Sequence, residues 1–159
     1  MATPLAKLVS LLTPKRRWAQ FSIRSLLLVT AIVGAGSAWC VYEPYRLANR
    51  LRNDDVSWDG NFVGLFPFVT GDTAVSLRRC GRRATPALLG AIEQPDKFAA
   101  AHVLLTGLWQ NEYPLSAGDW NHLRVTLYAN GTLEFHPEQI PAIRAYWSAT
   151  ISEANAPPK

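Results

Sequence analysis

Between Ser25 and Tyr42 the chain runs for 18 residues without a charged side chain, SLLLVTAIVGAGSAWCVY. As a helix this run is about 27 Å long, slightly short of a hydrocarbon core of about 30 Å. Phe21 and Ile23 lengthen the apolar stretch, and Arg24 can snorkel toward head groups. Seven large aliphatics (Leu26, Leu27, Leu28, Val29, Ile32, Val33 and Val41) together favour insertion by about 2 to 4 kcal/mol, with no charge inside the run to oppose them. Trp18 on one side and Trp39, Tyr42 and Tyr45 on the other stand where interfacial aromatics stand. Residues 25–42 therefore read as a single transmembrane helix, with the lipid bilayer as its partner.

The basic residues around this run set an expected direction. Lys7, Lys15, Arg16, Arg17 and Arg24 precede it, and Arg46, Arg50 and Arg52 follow it. An excess of basic residues marks the cytoplasmic side. The expectation is an inner-membrane, single-pass protein with a basic cytoplasmic leader over 1–24 and the C-terminal part outside. A cleaved signal peptide is the rival reading, through small residues near Ala35-Gly36-Ser37. The leader of 24 residues ahead of the core is long for a signal, and the apolar run continues past that point. A lipoprotein reading through Cys40 fails because Trp39 stands where a small residue is needed. Arg16-Arg17 does not continue into a twin-arginine pattern.

Ala31, Gly34, Ala35 and Ala38 fall at i, i+3, i+4 and i+7, a stripe of small residues of the kind that lets two membrane helices approach. It is a candidate surface for a homodimer or another protein partner, although a plain anchor also tolerates small residues. The run Arg17-Trp18-Ala19-Gln20-Phe21-Ser22-Ile23-Arg24-Ser25-Leu26-Leu27-Leu28 resembles the R-W-x-Q-F-S-[LI]-R-[ST]-L-L-L leader of many uncharacterised bacterial single-pass membrane proteins. That resemblance implies membrane attachment and no particular activity.

Elsewhere the pattern is helical, then alternating. Leu5, Leu8, Val9 and Leu12 suit a short amphipathic segment ended by Pro14. Glu43-Pro44 reads as the exit from the membrane, and 43–53 as a juxtamembrane helix with Leu47 and Leu51 on one side. Trp58 to Val69 (WDGNFVGLFPFV) reads as a loop, punctuated by Gly60, Gly64 and Pro67, whose aromatics fold back on the core or touch the bilayer. A short helix closes with Ala74 and Leu77 and stops at Cys80-Gly81. Thr85-Pro86 suits a helix start with Thr85 as cap, with Leu88, Leu89 and Ile92 on its apolar side. Pro95-Asp96 should cap a third helix, apolar enough on all sides to be central. The stretch 74–108 resembles one HEAT repeat, a family in which paired helices bind other proteins. No second copy follows, so something else must complete the pair.

The completion expected is a hairpin. Leu123, Val125 and Leu127 alternate with polar residues, and Leu133 and Phe135 follow the Asn130-Gly131 turn. A two-residue turn would set Leu127 against Glu134, whereas a three-residue loop with Gly131 left-handed sets Leu127 against Leu133 and Val125 against Phe135. The buried face decides register, so the longer loop is predicted. A last helix over about 141–151 offers Ile140, Ile143, Trp147 and Ile151, and 153–159 is a solvated tail. The fold expected over 54–152 is a small α+β domain of three helices, one hairpin and a C-terminal helix.

No catalytic, cofactor or metal signature stands out, so the catalytic residues are unknown and no cofactor or metal is expected. His102, His122 and His136 have no i, i+4 partner, and Cys40 and Cys80 lie in no C-x-x-C setting. His102 suits the edge of the core. Asp54, Asp55, Asp59 and Asp72 suit turns. Arg78, Arg79, Arg82 and Arg83 form the one basic cluster of this part, read as a solvated helix end rather than a nucleic-acid site. The functional expectation is a membrane-anchored, non-enzymatic interaction or scaffold module. The alternatives are a small membrane-bound enzyme built on Asp72, His102 or His136, and an accessory subunit of a membrane complex.

Overall fold

The computed structural model describes residues 16–61, 64–111 and 119–156, with the backbone alone for 16–21, 61, 64 and 65. The expected amphipathic segment from Leu5 to Leu12 lies outside the described residues. The chain divides into two units, Met1–Cys40 and Val41–Lys159.

Helix α1 spans Arg16–Ala48, 33 residues. Its Ser22–Ala48 portion has 27 residues and a mean hydropathy of 1.7, long and apolar enough to cross a membrane. Every side chain from 22 to 42 is exposed. The Thr30 hydroxyl donates to the Leu26 carbonyl at 2.8 Å, so this polar group is satisfied inside its own helix. The helix does not break at Pro44 as expected: Pro44 lies inside it, and the separate helix predicted to follow is absorbed into α1 up to Ala48. Proline removes one backbone hydrogen bond. Burial of Leu47, Ala48 and Leu51 in the second unit offsets that loss.

In the second unit a 3-10 turn, Asn53–Asp55, leads into β1 (Val56–Asn61) and β2 (Gly64–Val69). These pair antiparallel, Val56 with Val69 and Trp58 with Pro67. The segment expected to be a loop is thus a hairpin. Gly60, Gly64 and Pro67 look like breakers in the sequence, but Pro67 stands opposite Trp58, at a pair where the ladder needs no N–H. Helix α2 (Gly71–Cys80) stops at Gly81, whose φ is +61°, as expected. A 3-10 turn, Gly81–Ala84, runs directly into α3 (Thr85–Ile92). Thr85 is therefore inside the helical run and not its cap. Its hydroxyl instead accepts from Trp109 Nε1 at 3.1 Å.

Helix α4 (Phe98–Trp109) is the centre of the unit. Residues Phe98 to Thr106 are all buried, enclosed by α2, α3, β1 and β2. Its start is capped from a distance. The Asn53 carboxamide accepts the Ala99 N–H at 3.0 Å and donates to the Pro95 carbonyl at 2.8 Å, while the Asn53 N–H reaches the Asp96 carbonyl at 2.8 Å. Asp96, expected as the cap, pairs with Arg52 at 3.0 Å.

A three-stranded sheet follows, in the order β3 (Asp119–Trp120), β4 (Leu123–Leu127), β5 (Leu133–Phe135). The hairpin register is the predicted one: Val125 faces Phe135 and Leu127 faces Leu133, with Gly131 at φ +82°. Beyond β5 the Gln139 carboxamide continues the ladder, donating to the Arg124 carbonyl at 2.9 Å and accepting the Arg124 N–H. Helix α5 (Ile140–Ala154) buries Ile143 and Trp147 and packs against α3. It takes in Ser152 to Ala154 and so runs past Ile151, its expected end; residues 157–159 of the expected tail lie outside the described residues.

Candidate functional site

The residues proposed for a small enzyme do not assemble. Asp72 is exposed in the first turn of α2. His102 is fully buried on α4, deeper than the core-edge position expected. Its Nε2 lies 2.6 Å from the Trp120 carbonyl, and its Nδ1 is 2.9 Å from Trp147 Nε1. A carbonyl only accepts and an indole N–H only donates. The ring is therefore the neutral tautomer protonated on Nε2, with both nitrogens engaged. Burial lowers its pKa from 6.5 to about 4, because desolvation penalises the charged form. No ring nitrogen remains for Asp72 or for His136, whose Nε2 sits 3.0 Å from the Thr126 hydroxyl.

Aromatic rings close around this histidine. Tyr146 and Trp147 lie edge-on to it at 6.2 and 5.8 Å between centroids. The Tyr146 hydroxyl accepts from Asn111 Nδ2 at 2.9 Å. These contacts join α4, β3 and α5 through satisfied polar atoms, which is how a core tolerates a histidine.

The basic cluster is partly tied down. Arg78 donates to the Val69 carbonyl at 2.9 Å, and the Arg82 guanidinium lies 4.4 Å from the centre of the Trp109 ring, a cation–π contact. Arg78 and Arg79 also sit in the last turn of α2, where cations complement the helix dipole. Among the described residues no group of three or more His, Cys, Asp or Glu is placed to hold a metal ion. Asp55 accepts the Arg52 N–H at 2.9 Å, a turn-forming role like the one expected of it.

A cleft of about 380 Å³ opens between β1 and β5. Asn53, Asp54 and Val56 to Trp58 line it from one stretch of the chain, and Gly131 to Leu133 with Phe135 from the other. Trp58 Nε1 points at the Gly131 carbonyl, 3.5 Å away. Among the described residues none of the three salt bridges involves Asp54, and no basic residue lines the cleft. Sequence reasoning missed it because one wall belongs to the segment read as a loop. The alternation of Val56 and Trp58 with Ser57 and Asp59 was the available signal. A second, more apolar groove lies along Ile140, Pro141 and Ala145, spanned by the Arg144–Glu93 ion pair at 3.2 Å.

The chain matches no family model, no curated protein and no solved structure.

Proposed function

We propose that this chain is a single-pass membrane protein whose second unit works as a tethered, non-enzymatic interaction module. One observation carries the anchor: 21 consecutive residues of α1, Ser22 to Tyr42, bury no side chain, although they include Leu26, Leu27, Leu28, Val29, Ile32 and Val33. An apolar band of that extent is untenable in water and favourable in lipid. The back-bonded Thr30 supports the same reading, since a bilayer offers no partner for a free hydroxyl.

The basic residues ahead of the uncharged run, Lys7, Lys15, Arg16, Arg17 and Arg24 against Arg46, Arg50 and Arg52 after it, favour an N-terminus in the cytoplasm and the folded unit outside, at the inner membrane of a bacterial cell. Ala31, Gly34, Ala35 and Ala38 give a second copy, or a partner helix, a surface of close approach. Nothing lies within 4 Å of a Cβ added at Gly34. The non-enzymatic part of the proposal rests on His102, which is sealed in the core, and on its separation from the settings of Asp72 and His136. The HEAT-like pair, α3 and α4, contributes structure more than surface in this reading, because α4 is enclosed. Affinity capture of the tagged full chain from native membranes under mild detergent tests it. Stoichiometric, reproducible co-purification of a partner is expected, and recovery of the chain alone contradicts the module.

A further inference from the structure

Strands β1 and β5 are both sheet edges: among the described residues β1 pairs only with β2, and β5 only with β4. In each hairpin one backbone hydrogen bond sets which backbone groups face outward. The Thr70 N–H donates to the Asp55 carbonyl at 2.9 Å, and the register places these two residues opposite each other. Bonded and non-bonded pairs alternate along an antiparallel ladder, so Val56 and Trp58 occupy non-bonded pairs and turn their backbone groups away from β2. Pro67, which lacks an N–H, stands opposite Trp58, as this alternation requires. In the other hairpin the Tyr128 N–H donates to the Thr132 carbonyl at 3.0 Å. By the same alternation Leu133 and Phe135 turn their N–H and carbonyl groups away from β4.

All four of these residues line the one cleft. The Val56 N–H is taken by the Asn53 carbonyl; the other outward groups have no backbone partner among the described residues. The two edges run antiparallel along the cleft. Trp58 meets Gly131 at one end. At the other, Phe135 stacks edge-on against Phe98 at 6.5 Å, beside the Ala99 amide that Asn53 caps. Directly paired strands lie about 4.8 Å apart and leave no void, whereas extended chain fills about 160 Å³ per residue at sheet spacings. A cleft of about 380 Å³ accordingly takes two or three residues of a strand.

We propose that this cleft receives an extended segment of a partner protein, which adds as a strand between β1 and β5 and sets a lysine or arginine against Asp54. The proposal rests on the interaction-module reading and assigns that module its binding site and ligand class. Two facing rows of donors and acceptors match an extended backbone. Trp58 and Phe135 offer apolar contact to alternate side chains. Asp54, exposed and without an ion pair among those observed, supplies the charge preference.

The test uses the full chain in detergent micelles and an array of end-blocked hexapeptides that alternate valine or threonine with lysine, threonine or glutamate. Lysine-bearing members are expected to bind at least tenfold more tightly than their glutamate counterparts. N-methylation of alternate amides should abolish binding, and Asp54→Lys should reverse the charge preference while leaving the thermal transition in place. Hydrogen exchange should slow at Trp58, Leu133 and Phe135 when the best peptide is bound. Failure of every peptide, equal binding of the N-methylated form, or protection confined to other segments would each overturn the proposal. A partner retained on capture while these amides exchange at their free rate would sink strand addition and leave the tethered module standing.

Discussion

Trp147 Nε1 donates to His102 Nδ1 at 2.9 Å, and that bond settles which nitrogen of a fully buried histidine carries the proton. Helix α5 and helix α4 are joined through it, and β3 joins the pair through the Trp120 carbonyl on Nε2.

Acid should weaken the second unit through this residue. The folded pKa is about 4 against an ordinary 6.5, so the unfolded chain binds the proton first as pH falls. The stabilisation is complete above pH 6.5 and is lost progressively down to pH 4. The loss is about 2 kcal/mol at pH 5 and about 3 kcal/mol in full. Denaturant unfolding of the wild type and of His102→Gln should diverge over this window, with the variant showing the flatter pH dependence. Parallel curves would remove His102 as the source.

Trp147→Phe keeps most of the packing but leaves Nδ1 without its donor. A buried acceptor stripped of its partner costs about 1 to 3 kcal/mol. Thermal unfolding should register that loss even at pH 8, where no proton is involved.

Asn53→Ala should be as costly as a mutation inside α4, although it lies outside that helix. It removes the cap on the Ala99 amide and the bond to the Pro95 carbonyl, for about 2 kcal/mol together. Hydrogen exchange at Ala99 should accelerate in the variant, and an unchanged rate there would show that the cap is not what protects it.

Gly131→Val tests chiefly backbone conformation, because no atom within 4 Å would meet the added Cβ. At φ +82° a β-branched residue is strained by about 1 to 2 kcal/mol. Gly131→Asn, which tolerates this region, should recover most of the loss.

The β4–β5 register was legible because only one loop length sets Leu127 against Leu133 and Val125 against Phe135, and burial enforces that match. The β1–β2 hairpin was not legible. Gly60, Gly64 and Pro67 look like breakers, and only the ladder shows that Pro67 occupies a position needing no donor. Asn53 was read as the end of a preceding helix. Its role as the cap of α4 joins residues 46 positions apart, which no local pattern reveals. Pro44 misled in the opposite sense, since tertiary burial of Leu47 and Leu51 carries the helix past it. The cleft inherits the first of these failures, because its β1 wall lies within the segment read as a loop.

The account stands on α1 as an uncleaved anchor, and intact-mass analysis of alkali-washed membranes tests that directly. The chain should remain in the pellet at its full 17.6 kDa, and Val29→Asp, which places a charge in the span at about 3 kcal/mol, should shift it toward the supernatant. Release of the wild type by alkali, or a mass shortened to a start near Ser37 or Ala38, would contradict the account.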